Sequence, residues 1–382
     1  MRLRRVMFLS GSLGKGHDVV AEACAAALAP YSVESTVLDS MRLLGGGAAA
    51  AGDWAFKRLL SVTAIYDAFH FSQLRDDGRL GRAADRAAVD KMHRALSREI
   101  DRFGPQLVVP VFATGAGAAI RLKREGGTFS TMVVMTDSFA HRMWVHEGTD
   151  AFLVTSAAAA ESVRRYWPEA PVSVVAAPVR PEFYEAPPRA EARSRLGVPP
   201  DVSCVLLMSG AWGLGPLDEA SEALSADGTW VLAVAGTNTT MERSLRRLAD
   251  RQPNIVAFGY TDRVPELMSA CDVVVTSSGD TCSEARTLGR GIILIDVVPG
   301  HGRENLMHEL ELGGATACLP NAGSIARAVR SFLGDPQRSK VAPAADPRAA
   351  EKQFLDAVRA IGFELPENQL SANRMGGSRK TV

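Results

Sequence analysis

Residues suited to holding a phosphorylated ligand gather between Asp272 and Leu310. An apolar β-branched run at 273–275 leads into Ser277-Ser278-Gly279-Asp280-Thr281 and a helical stretch carrying Glu284. A second apolar run at 292–295 leads into Pro299-Gly300-His301-Gly302 and a helix start at Arg303-Glu304-Asn305. Strand, small polar or glycine-rich loop and helix thus follow one another twice. At the carboxyl edge of an open parallel sheet such loops meet ligands. Helix N-termini there offer unpaired N–H groups and a positive dipole end. The chemistry this suits is recognition of a nucleotide diphosphate.

Two glycine loops elsewhere share one spacing. Gly11, Gly14 and Gly16 follow the apolar run at 6–9, and Gly210, Gly213 and Gly215 follow the run at 205–208. The spacing G-x-x-G-x-G is neither the dinucleotide fingerprint nor a P-loop. One such loop could be a tight turn and nothing more. Two copies half a chain apart predict two similar α/β domains. A further polar group, Thr136-Asp137 with His141, Trp144 and His146, falls just past the apolar run at 131–135. A carboxylate and imidazoles at a strand end belong to the ligand edge, although each alone could satisfy a loop.

The elements that must position these groups are short apolar runs alternating with helical segments. In the first half the runs are 6–9, 107–112, 131–135, 151–155 and 172–175. In the second they are 203–208, 230–235, 254–258, 272–276, 292–296 and 315–318. Such alternation predicts parallel sheets with right-handed crossovers. The boundaries read as a first domain at 1–178, a Pro/Ala/Arg-rich linker at 179–202 and a second domain at 203–335. A helical segment at 336–365 and a disordered tail at 366–382 complete the chain. The helix at 83–102 reads as an exposed charged one with no role beyond the fold.

Composition narrows the function classes. Across 382 residues, 43 basic groups balance 43 acidic ones, so no overall field points to nucleic acid. Five scattered cysteines without a C-x-x-C pair argue against a zinc site and for a reducing compartment. No apolar run reaches the ~18 residues of a transmembrane helix. Between Gly46 and Gln73, Trp54, Phe56, Phe69 and Phe71 recur at roughly helical spacing beside Lys57 and Arg58. That stretch is either an amphipathic helix meeting a bilayer or lipid, or a helix packed on its own domain.

Taken in order, GSLGKGHDVVAEA, VVMTDSFAHRMW, APVRPEF, LLMSGAWGLGP, AVAGTN, FGYTDRVPELMSACDVVVTSSGDTCSEA and VPGHGREN resemble GT-B glycosyltransferases that build glycolipids. The likeness is to the monogalactosyldiacylglycerol synthases and the processive diacylglycerol glucosyltransferases. It implies two Rossmann-like domains facing a central cleft. It also implies an inverting, metal-independent transfer of a hexose from a UDP-sugar to a lipid hydroxyl, with no cofactor and no nucleic-acid partner. By matching position, Glu284 would hold the ribose, while Gly14, Gly16, Gly210, Gly213, Ser278, Gly279 and Thr281 would line the nucleotide and phosphates. Gly259 and Tyr260 would lie near the uracil ring, and Asn305 near the sugar and diphosphate. His17 is the leading general base, with Asp137 and His141 as the other catalytic candidates. Trp54, Phe56, Phe69 and Phe71 would face acceptor or membrane. The expected location is cytoplasmic, or peripheral on the inner face of the cell membrane.

The chain departs from the relatives at Ser12, where they carry Asp or Asn, and at His301-Gly302, where they read Gln-Glu. Asp280 also adds an acid near the expected diphosphate. A UDP-N-acetylglucosamine 2-epimerase-like enzyme and a non-catalytic nucleotide-sugar or lipid-binding protein are the competing readings.

Overall fold

Short, fully apolar strands need cover on both faces, and in each half of the chain helices supply it. A computed structural model describes residues 1–11, 15–45, 67, 70–76, 78–335, 346 and 348–368. The chain divides into two units, Met1–Pro178 with Arg348–Val382, and Val179–Pro347.

Unit 1 holds β1 (Arg5–Ser10), β2 (Glu34–Asp39), β3 (Leu107–Pro110), β4 (Ser130–Val134), β5 (Ala151–Val154) and β6 (Val172–Val174). They form one parallel sheet in the order β2-β1-β3-β4-β5-β6. Its helices include α1 (Gly16–Leu28), α2 (Arg79–Phe103), α3 (Ala113–Arg124) and α4 (Ala157–Arg164). Alternation along β1 divides the core. Val6 and Phe8 pack with Val20, Cys24 and Leu28 of α1. Met7 and Leu9 pack with Met92 and Leu96 of α2 and Ala118 and Ala119 of α3. Strand β2 was not legible in the sequence, because it is a half-exposed edge strand reading ESTVLD with no apolar run.

The helix Ala349–Ala360 corrects the expected separate segment at 336–365. Phe354, Leu355 and Val358 complete the α1 face of unit 1, with the Phe8 and Phe354 ring centroids 6.5 Å apart. The backbone closes the arrangement, Leu3 N–H donating to Glu364 O and Glu364 N–H to Met1 O, both at 2.9 Å. The tail past residue 368 lies outside the described residues.

Unit 2 holds β7 (Cys204–Met208), β8 (Trp230–Val234), β9 (Ile255–Phe258), β10 (Val273–Thr276), β11 (Gly291–Ile295) and β12 (Ala315–Cys318). Their order, β12-β11-β10-β7-β8-β9, is that of the doubly wound dinucleotide-binding sheet. The supposed linker at 179–202 is folded instead. One helical turn, Pro181–Tyr184, and α5 (Arg189–Leu196) place Val179, Phe183, Ala192 and Leu196 in the core of unit 2. Arg193, only 2% exposed, anchors that segment. Its Nε donates to Ala270 O (2.9 Å), Nη1 to Pro200 O (2.7 Å) and Val202 O (2.9 Å), and Nη2 to Asp272 Oδ2 (3.1 Å). The same carboxylate oxygen accepts from Cys204 N–H at 2.8 Å. The remaining helices are α6 (Leu217–Ser225), α7 (Thr239–Ala249), α8 (Val264–Ala270), α9 (Asp280–Thr287), α10 (His301–Glu311) and α11 (Ala322–Leu333). Among the described residues no helix is long and apolar enough to cross a membrane.

Candidate functional site

In unit 2 the chain leaves β7 toward β8 and β9 on one side, and β10 continues toward β11 and β12 on the other. The switch point therefore lies between β7 and β10, and the loops after those strands flank the crevice at which sheets of this kind take their ligands. The loop after β7 carries Gly210 and Gly213, and the loop after β10 carries Ser278, Gly279 and Thr281.

Two positive-φ glycines let the loops after β7 and β8 cross at backbone distance. Gly213 (φ 54°) would drive a Cβ into Ala235 O, and Gly236 (φ 58°) would drive one into Ala211 O. Thr237 N–H (2.7 Å) and Thr237 Oγ1 (2.8 Å) both donate to Ala211 O, and Asn238 Nδ2 donates to Gly213 O at 3.3 Å. Gly236 to Asn238 thus brace the glycine loop. Sequence reasoning noted their motif but gave them no role. Gly213→Ala is expected to lower the melting temperature measured by differential scanning calorimetry, because its Cβ would meet Ala235 O.

Helix α9 has Gly279 as its N-cap and no side-chain cap hydrogen bond, so its N-terminal turn lies at the edge where such turns meet anions. Ser278 Oγ donates to Gly302 O at 2.6 Å and ties this loop to the one after β11. Asn305 stands half-buried in the first turns of α10. Gly259 and Tyr260 follow β9 on the same edge, with Tyr260 64% exposed. Every described candidate of unit 2 therefore gathers at one edge of one sheet.

Glu284 is only 5% exposed and takes two hydrogen bonds on Oε1, from Arg180 Nη2 (3.1 Å) and Nε (3.3 Å). Its Oε2 has no partner among the described residues. Burial pushes the carboxyl up to about 7, against the opposite pull of the Arg180 charge. Arg180 was missed as a site residue, since nothing in its Pro-rich surroundings separates an orienting cation from a solvated one.

In unit 1 the switch point falls between β1 and β3. His17, in the first turn of α1, reaches across it: Nδ1 lies 3.0 Å from Val111 O and 3.0 Å from Thr136 Oγ1. A carbonyl only accepts, so this network assigns the proton to Nδ1 and leaves the lone pair on Nε2. The ring meets Phe112 edge-on, with centroids 4.8 Å apart.

Asp137 follows Thr136, and its Oδ2 accepts from Trp144 Nε1 at 2.7 Å and lies 3.5 Å from His141 Nε2. His141 is buried, and its Nδ1 finds no hydrogen-bond partner among the described residues. Its place is interior, beside Trp144 and His70, with ring centroids 6.2 Å from each. His146 is a packing group: Nε2 donates to Met143 O at 3.0 Å, and burial pushes it down to about 4. Gly16 opens α1. Gly14, Trp54, Phe56 and Phe69 lie outside the described residues, as does Ser12. Phe71 is 40% exposed on a π-helical turn, His70–Arg75.

Two doubly wound units, each with its polar loops at the switch point, define a GT-B-like protein. Acinetobacter baumannii MurG has this fold, with a TM-score of 0.61 at 14% identity over 94% of this chain and 99% of that one. Residues 17–179 match the family model described as monogalactosyldiacylglycerol (MGDG) synthase. The chain is 30% identical over 248 residues to the processive diacylglycerol beta-glucosyltransferase of Bacillus subtilis (strain 168), covering 64% of each. It is 27% identical over 300 residues to the chloroplastic monogalactosyldiacylglycerol synthase of Spinacia oleracea, covering 72% of this chain and 55% of that protein. It thus spans less than two thirds of the length of these relatives. Over these stretches the chain is similar to the monogalactosyldiacylglycerol synthases and the processive diacylglycerol glucosyltransferases.

Proposed function

We propose that the chain transfers a hexose from a UDP-sugar to a hydroxyl of diacylglycerol or a similar lipid, inverting the anomeric centre without a bound metal. The observation that carries the reading is His17, an imidazole anchored through Nδ1 at a switch point with its lone pair on Nε2. Nε2 takes the acceptor proton as the acceptor oxygen bonds to the anomeric carbon. The bond from that carbon to the β-phosphate oxygen breaks, and UDP departs with the electron pair. Unit 2 stabilises the leaving diphosphate through the N–H groups of its glycine loop and of α9. Asp137 and His141 act as positioning residues that hold the segment carrying Thr136. Membrane lipid as acceptor makes a peripheral location on the cytoplasmic face part of the same proposal.

UDP release is measured with UDP-glucose or UDP-galactose, with and without diacylglycerol vesicles. Release that needs both is expected, whereas no acceptor-dependent release with any common UDP-hexose defeats the reading.

Glu284 supplies two further expectations. Ribose hydroxyls donate to its carboxylate, so Glu284→Ala is expected to weaken UDP binding by about 2–3 kcal/mol, or roughly 30- to 150-fold. Ionisation rises with pH through about 7. UDP affinity should therefore be up to about tenfold lower near pH 6 than near pH 8. Titration calorimetry checks this, with Glu284→Gln expected to flatten the Glu284 part of the profile. An identical pH profile in that variant contradicts the assigned role.

A further inference from the structure

Helix α2 runs for 25 residues, about 37 Å, and carries seven Lys or Arg against four Asp or Glu in a chain whose net charge is zero. Its buried face is narrow, with Met92 and Leu96 turned into unit 1. The opposite face is patterned. Leu80, Ala83, Ala84 and Ala87 recur at i, i+3, i+4 and i+7, all exposed, with Leu80 66% exposed. The same stripe continues as Lys91, Arg94 and Arg98, also exposed, with Arg79 and Arg86 along its flank.

None of those five cations has an ion-pair partner among the described residues. Of the helix's four acids, Asp90 is taken by Arg121 and Glu99 by Arg102, Asp85 is half-buried, and Asp101 stands at the far end. An exposed helix face that is apolar at one end and lined by unpaired cations is a poor surface in water alone. It is well matched to an anionic lipid interface, where the apolar residues enter the headgroup layer and the cations meet phosphates. Phe71, exposed on the turn just before the helix, extends the apolar end.

We propose that α2 lies along an anionic bilayer and docks unit 1 on it. The proposal deepens the lipid-acceptor reading and rests on it for its purpose, but vesicle binding is measured without donor sugar and therefore stands or fails separately. The full chain is floated with phosphatidylcholine vesicles that contain or lack about 30 mol% phosphatidylglycerol, at low salt and near 0.5 M salt. Binding is expected only to the anionic vesicles and is expected to be lost at high salt.

The variant R86Q/K91Q/R94Q/R98Q should bind several hundredfold more weakly, at roughly fivefold per cation. Leu80→Ser should bind about tenfold more weakly. Both variants should keep the wild-type melting temperature and UDP affinity, since the substituted groups are exposed and lie outside the proposed nucleotide and base sites. Wild-type binding by the quadruple variant, equal binding to neutral vesicles, or displacement by a nucleic-acid oligomer at lower phosphate concentration than lipid would each overturn the proposal.

Discussion

Replacing His17 by Ala is expected to lower kcat by about 10²- to 10⁴-fold while leaving the UDP dissociation constant within about twofold. The basis is geometric. Nδ1 is held by Val111 O at 3.0 Å, so the ring offers Nε2 as a base. A group that acts only as the acceptor hydroxyl loses its proton lowers turnover without loosening the donor. Steady-state kinetics with diacylglycerol vesicles, together with calorimetry for UDP, separate the two quantities. A matching loss of UDP affinity would show that His17 positions phosphate instead. Thr136→Val offers a milder control: it removes the second Nδ1 contact, keeps the ring, and should lower kcat by less than His17→Ala.

The second large effect concerns stability. Arg193→Met is expected to destabilise unit 2 by about 3–5 kcal/mol, because removing one partner of a buried charge leaves the others unmatched. Asp272 would lose the buried partner on Oδ2, and the carbonyls of Ala270, Pro200 and Val202 would lose their donor. Arg189, which also pairs with Asp272, is more exposed and replaces only part of that interaction. The melting transition should fall by about 10 °C. An unchanged transition would mean that water or the relaxed segment takes over these bonds.

Much of the architecture could be read from the sequence because parallel strands buried on both faces are written as unbroken apolar runs. In unit 2 every strand begins and ends within one residue of its apolar run, as β10 and β11 illustrate. Where burial is one-sided or arises from tertiary contact, that signal fades. Strand β2 is an edge with only partial cover, and the segment around α5 looks like a linker because Pro and Ala dominate it while five well-spaced apolar residues do the packing. The candidate loops were legible at strand ends, since glycine spacing and strand ends are local features. The pairings were not. Arg180 with Glu284 spans 104 positions, and His17 with Thr136 spans 119, and no local pattern encodes such meetings.

The return of the final helix to unit 1 bears on the order in which a growing chain can become stable. Unit 2 ends at Pro347, so all of its strands emerge before Phe354, Leu355 and Val358 exist. Until then Phe8, Val20 and Leu28 lack part of their cover, and the first unit synthesised is the last to be completed. During that interval its apolar face is open to the cell, the condition under which nascent domains aggregate or engage chaperones. Biogenesis should therefore be most vulnerable until the helix Ala349–Ala360 has emerged, well after unit 2 has closed its own core.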